Sequence, residues 1–232
     1  MAIRCIALDY SGTLAPHSKS PTIEDIVDVW RQMEEPINEP MLNELDLRLR
    51  ESKRQYSGFG KVHAWDELLK SIIVKYSKGL NYESFADRLW TRVPDSQMCE
   101  TAIQVVMSLH RRGYRLFLAS NTRRPASARL KALKQSGALD CFDETFISSD
   151  LGFGKPDPEF YKTIMVQAGD CLPREFLFVG DSLVRDVIEP MRHGMNAVWL
   201  NRKRSSDLTP KGIPEIVDIA QLPALLEKNL WQ

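Results

Sequence analysis

An excess of charge of one sign is the first thing this 232-residue chain lacks: Lys plus Arg equals Asp plus Glu at 31 each. Without a net field to gather nucleic acid or anionic lipid, neither is expected as a partner. No apolar run approaches the ~20 residues that a bilayer-spanning helix needs, so no membrane is expected either. Cysteine and histidine are scarce. Cys5, Cys99, Cys141 and Cys171 have neither paired nor metal-ligand spacing, and His17, His63, His110 and His193 form no sequence-local ligand set. A reduced, cytoplasmic setting is expected, in line with an N-terminus that runs from Met1-Ala2 into a strand-like stretch without a charged and apolar leader. Internal repeats and low-complexity tracts are missing as well.

What is present is ordinary for a globular protein, with 43% hydrophobic and 27% charged residues. The length allows one large domain or a core with a smaller insert. Ile3 to Leu8 is almost wholly apolar, as in a strand covered on both faces of a sheet, and it ends at Asp9. A tight polar turn, Ser11-Gly12-Thr13, follows, then a linker with Pro16, Ser18, Ser20 and Pro21.

Between Thr22 and Val93 the apolar residues recur three and four apart, as in Ile23, Ile26, Val27 and Trp30, which predicts about four helices and no strand. Thr22 with Asp25 reads as a helix cap. After Pro94-Asp95-Ser96 helix and strand alternate. A helix runs to Arg112 with Gly113 as its stop, and strands are predicted at Tyr114 to Ala119, Glu144 to Ile147, Phe176 to Val179, Ala197 to Leu200 and around Ile216, with a last helix from about Gln221. Such alternation predicts an α/β fold: a doubly wound, Rossmann-like parallel sheet from residues 1–15 and 96–232, with an all-helical cap of residues 16–95 inserted after the first strand. An insert there lies over the carboxyl ends of the strands, where open parallel sheets bind their ligands, so it is placed to act as a lid.

Four segments close strands or open the loops after them: Asp9-Tyr10-Ser11-Gly12-Thr13-Leu14, Ser120-Asn121-Thr122, Gly154-Lys155-Pro156-Asp157-Pro158, and Gly180-Asp181-Ser182 through Arg185-Asp186. Each alone is more often a cap or a turn than a site. Their order resembles that of the haloacid dehalogenase superfamily, and the resemblance spans the core, with the helical insert where one class of that family keeps its cap.

The resemblance implies a magnesium-dependent phosphohydrolase or phosphotransferase for a small phosphorylated substrate. Asp9 is then the nucleophile that forms an aspartyl phosphate, and Asp9, the backbone carbonyl of Ser11, Asp181 and Asp186 hold the metal. Ser120, Asn121 and Lys155 bind the phosphoryl group, Lys155 also serving catalysis. The chemistry is coherent in its own right, because phosphoryl transfer needs an in-line nucleophile and neutralised oxygens and little else. Gly12 and Gly180 would permit close backbone approach.

One position departs from the pattern. Family phosphatases carry a second Asp two residues after the nucleophile as general acid and base, and this chain has Ser11. A hydroxyl exchanges protons poorly near neutral pH, so that step should lose on the order of 10²- to 10⁴-fold. The alternatives are a catalytically impaired binding or regulatory protein, or a phosphonatase-like variant using Lys53 or Lys61 of the cap. Two carboxylates after Gly180 argue against a dehalogenase, and a phospho-acceptor signalling domain would lack a cap. Arg123 and Arg124 are candidate anion ligands, though exposed arginines more often bind nothing specific. Tyr56-Ser57-Gly58-Phe59-Gly60 reads as a helix connection able to close on a substrate, Arg202-Lys203-Arg204 as a solvated loop, and Trp65, Trp90, Trp199 and Trp231 as packing residues. A monomer or homodimer is expected.

Overall fold

The computed structural model describes residues 2–56, 64–77, 79–203, 212–228 and 230–231, the side chains of 52–56 excepted. Six parallel strands form one sheet in the order β3-β2-β1-β4-β5-β6, built from β1 (Cys5–Leu8), β2 (Arg115–Ser120), β3 (Glu144–Ile147), β4 (Phe176–Gly180), β5 (Asn196–Leu200) and β6 (Glu215–Ile216). The order reverses beside β1, so the ends of β1, β2 and β4 frame the crevice where such sheets bind ligands. The expected doubly wound α/β core is thereby borne out.

Strand residues alternate between two covered faces. Ile6, Leu8, Leu116, Leu118, Leu177 and Val179 pack under α5 (Glu100–Arg111) and α10 (Leu222–Leu226). Ala7, Phe117, Phe176 and Phe178 meet Phe160 and Ile164 of α8 (Pro158–Gln167) on the other side. Between β2 and β3 runs α6 (Ala126–Gln135), and α7 (Ser148–Leu151) and α9 (Glu189–Arg192) are single turns.

Among its described residues the segment after β1 holds four helices, α1 (Ile23–Gln32), α2 (Glu39–Tyr56), α3 (Trp65–Tyr76) and α4 (Tyr82–Arg92). They share a core of their own around Trp30, Leu45, Leu69, Phe85 and Leu89. Thr22 caps α1 reciprocally, its hydroxyl accepting from Asp25 N at 3.1 Å while Thr22 N donates to the Asp25 carboxylate at 3.0 Å. The two chain crossings to the sheet domain lie side by side. Ser18 donates to Asp95, and Cys99 N donates to Leu14 O at 3.1 Å.

One expectation is corrected. Cys5 in β1 and Cys171, ahead of β4, form a disulfide across 166 residues of sequence. β1 and β4 are neighbours in the sheet, with Cys5 in register with Phe176, so separation along the chain carries no trace of the pairing. Cys99 and Cys141 are free. Among the described residues no helix is long and apolar enough to cross a membrane.

Candidate active site

β1 delivers Asp9 to the carboxyl edge of the sheet, where Asp9 N donates to Val179 O at 2.9 Å. The chain then turns tightly: Tyr10 O accepts from Leu14 N and Ala15 N, both at 2.9 Å, and Thr13 Oγ1 donates to Asp9 Oδ2 at 3.1 Å. Gly12 sits at φ 90° inside this turn, and a Cβ there would come within 2.2 Å of Asp181 Oδ2. Only glycine both adopts that backbone and leaves the room.

β4, paired with β1, ends at Gly180, and Asp181 follows it. Asp186 comes from a π-helical turn, Leu183–Ile188, a geometry often found at functional sites. Its carboxyl fills the space beside Gly180, where a Cβ would lie 2.3 Å from Asp186 Cγ. Ser182 N donates to Asp186 Oδ2 at 3.0 Å. Carboxylate oxygens of Asp9, Asp181 and Asp186 all lie within 4.8 Å of one another.

Lys155 answers this negative charge. Its side chain is 1% exposed and donates to Asp9 Oδ1 at 2.8 Å and to Asp186 Oδ1 at 2.6 Å. Burial disfavours the ammonium, but Asp186 and Asp9 outweigh it and hold the lysine pKa above its ordinary value. Burial likewise pushes the Asp186 carboxyl up to about 6 against the pull of Lys155, with Asp9 adding repulsion. Asp181 is raised chiefly by burial and then by Asp9, with His17 opposing at 3.5 Å. Such crowding is costly unless a cation joins it.

The remaining sequence candidates fall around this cluster. Asn121 clamps the Lys155 main chain from both ends of its amide, accepting from Lys155 N at 2.9 Å and donating to Lys155 O at 2.6 Å. Ser120, fully buried, accepts from Arg129 Nη1 at 3.0 Å, and Ser11 Oγ accepts from the same nitrogen at 3.3 Å. A cavity of 310 Å³ opens in front of Asp9, Ser11 and Lys155, and Lys19, Trp65, Arg123 and Arg185 also line it.

Arg124 is not the exposed arginine that its sequence context suggests. It is buried, 5.0 Å over the Trp90 ring, and donates to Val93 O at 2.5 Å and to Lys19 O, tying both crossings of the chain together. Arg123 lies 4.7 Å over the Trp65 ring at the cavity wall. Arg202 lies exposed in a turn, as the loop reading expected, and its guanidinium also donates to Gly12 O at 3.3 Å and Thr13 O at 3.2 Å, bracing the turn after Asp9. Lys61, Arg204 and the 57–60 loop lie outside the described residues, as does the side chain of Lys53.

Sequence reasoning did not single out Arg129 or Asp95 as site residues. Asp95 is 6% exposed and receives Arg129 Nε at 2.6 Å. A signal existed: Arg129 stands three and four residues before Ala132 and Leu133 on the buried stripe of α6, where a charged residue needs a buried partner.

Comparison with known proteins agrees with this architecture. YfnB of Bacillus subtilis is 26% identical over 131 residues, 56% of this chain and 52% of that protein, so the match spans about half of YfnB. Its magnesium-bound crystal structure superposes with a TM-score of 0.62 at 18% identity, covering 97% of this chain and 99% of that one. A glyceraldehyde 3-phosphate phosphatase of Methanopyrus kandleri is 27% identical over 218 residues, 93% of this chain and 91% of that protein. A 2-haloacid dehalogenase of Pseudomonas syringae reaches a TM-score of 0.68 at 21% identity, covering 97% and 99% of the two chains. The model of the haloacid dehalogenase-like hydrolases matches residues 3–189, and with the six-stranded parallel sheet and its inserted helices the chain belongs to that family.

Proposed function

We propose that the protein is a magnesium-dependent phosphohydrolase or phosphotransferase for a small phosphorylated metabolite, that residues 16–95 form its cap, and that its turnover is slow. The observation that carries this reading is the joint placement of Asp9, Asp181 and Asp186 beside the buried ammonium of Lys155. The donor set suits magnesium, being all hard oxygen, and the space that Gly12 leaves beside Asp181 keeps those oxygens close. Asp9, Asp181, Asp186 and the carbonyl of Ser11 would hold the ion. When bound it neutralises phosphoryl oxygens and relieves the repulsion among the carboxylates.

In this mechanism a carboxylate oxygen of Asp9 attacks phosphorus, the ester oxygen leaves with the bonding pair and takes a proton from solvent, and an acyl phosphate remains on Asp9. Lys155 holds the attacking carboxylate and meets the developing charge on the phosphoryl oxygens. Water, or an acceptor hydroxyl, then attacks the same phosphorus and frees Asp9. Ser11 offers no base for that second step, so breakdown of the acyl phosphate limits the rate. The cavity of 310 Å³, with Lys19, Arg123 and Arg185 on its walls, favours a small anionic substrate. The phosphatase name of the Methanopyrus relative and the magnesium in the YfnB crystal point the same way.

The test is Asp9→Asn, which keeps the shape and removes the nucleophile. It should abolish trapping of beryllofluoride with magnesium and lower aryl phosphate turnover by at least about 10³-fold. Unchanged turnover in that variant would remove Asp9 as nucleophile. Ser11 itself favours the second reading, a binding or regulatory protein on the same core, to which flat rates with and without magnesium across a panel of phosphorylated metabolites would point.

A further inference from the structure

We propose that Arg129 is a positioning residue that sets the hydroxyl of Ser11 as a donor toward a phosphoryl group on Asp9, with Ser120 held by the same nitrogen, an assignment that rests on the reading of Asp9 as phosphoryl acceptor. Arg129 is 1% exposed and its carbon centre lies 3.9 Å over the Tyr10 ring. Two of its nitrogens face Asp95, with Nε at 2.6 Å and Nη2 at 3.4 Å. That grip leaves Nη1 aimed at Ser120 Oγ and Ser11 Oγ, at 3.0 Å and 3.3 Å.

A guanidinium has donors only, so both serine oxygens act as acceptors toward it. The proton of each hydroxyl is thereby turned away from Arg129. For Ser11, which lines the cavity with Asp9 and Lys155, the partner on that side is an incoming phosphoryl oxygen. A free hydroxyl rotates; one held by a fixed cation donates in one direction and donates more strongly. The planar fork matters, because a lysine in its place could keep the charge but could not span Asp95 and two hydroxyls together.

Asp95 extends the arrangement to the crossings between sheet and helices. It accepts from Ser18 Oγ and from Ser96 N at 3.0 Å, and Arg124 Nε stands 3.7 Å away. Tyr10 completes the frame by donating to Ser96 O at 2.7 Å. Both crossings therefore bear on the residue that orients the two hydroxyls. A purely structural tie would need no serines at its free edge.

The test is a binding cycle with beryllofluoride and magnesium, read by calorimetry on Arg129→Lys, Ser11→Ala/Ser120→Ala and the triple variant, with aryl phosphate turnover measured in parallel. Arg129→Lys should weaken binding about 10-fold, as loss of a charge-assisted orientation implies. The same change should have less than about a 2-fold effect once both serines are alanine, because Arg129 acts through them. An equal loss in both backgrounds, or no loss in the natural one, overturns the assignment, as does a natural protein that does not bind beryllofluoride. If Arg129→Lys does not fold, Asp95→Asn/Arg129→Met, which removes the buried charges as a pair, carries the same cycle. Coupling without turnover in the natural protein would sink hydrolysis and leave Arg129 standing, whereas turnover with additive losses would do the reverse.

Discussion

Asp186 and Lys155 hold each other in a place where neither charge would survive alone. Both side chains are at most 2% exposed, and Lys155 also serves Asp9. Breaking a buried pair by removing one partner typically costs about 3–5 kcal/mol, since the other charge is left uncompensated. Lys155→Met should therefore lower stability by about 3 kcal/mol at pH 7.5 without magnesium, read from urea denaturation, and by less at pH 5, where Asp186 takes up a proton. An equal loss at both pH values would show that Asp186 does not depend on Lys155.

Ser11 raises a different question. An Asp in its place would lie close to Arg129 Nη1, now 3.3 Å from the hydroxyl, and would be held as a carboxylate. Such a group serves as base but poorly as acid, so Ser11→Asp should raise aryl phosphate turnover by about 10-fold, short of the ~10²- to 10⁴-fold that a well-tuned acid–base group supplies. A gain at the top of that range would mean that Arg129 leaves position 11 alone. The glycines were legible as residues needing close approach, and the structure gives the reason, carboxyl oxygens lodged where their Cβ atoms would stand.

Helices and strands were the most legible part of the chain, because apolar spacing of two or of three and four residues reports which face is buried. The predicted strand at Glu144 to Ile147 coincides with β3, and the helices expected between Thr22 and Val93 are α1 to α4. Contacts between helices were not legible. Glu44 of α2 accepts from Lys75 and Tyr76 of α3, and from Arg48 at 3.0 Å. The bond from Lys75 leads in drawing its pKa from 4.5 down to about 2. Since the folded value is depressed, the stabilisation is complete above pH 4.5 and is lost as pH falls toward 2. Glu44→Gln should flatten the acid decline of the unfolding midpoint within that window. A decline unchanged in the variant would assign it to other carboxylates.

Bound as proposed, magnesium would couple the cluster to the stability of the fold as a whole. With the Asp186 pKa raised to about 6, the metal-free fold favours its neutral form, and the associated stabilisation, full below its ordinary value of 3.8, is lost as pH rises through 6. A cation that requires ionised carboxylates reverses that loss. At 100-fold excess over its Kd, magnesium should stabilise by about 2.7 kcal/mol at pH 7.5, with a clearly smaller rise in Tm at pH 5. Equal rises at both values would mean that the acidic cluster does not hold the ion.

The sequence by itself determined the class of fold, the four loops that end at the crevice and the change at position 11, because strand periodicity and turn residues are local properties. Tertiary structure alone decided that Cys5 meets Cys171, that Arg124 ties both crossings of the chain, and that Arg129 reaches Ser11 and Ser120 from α6. Those contacts join residues 9 to 166 positions apart through the packing of a parallel sheet and its insert, and no spacing along the chain encodes which of many buried partners a side chain will find.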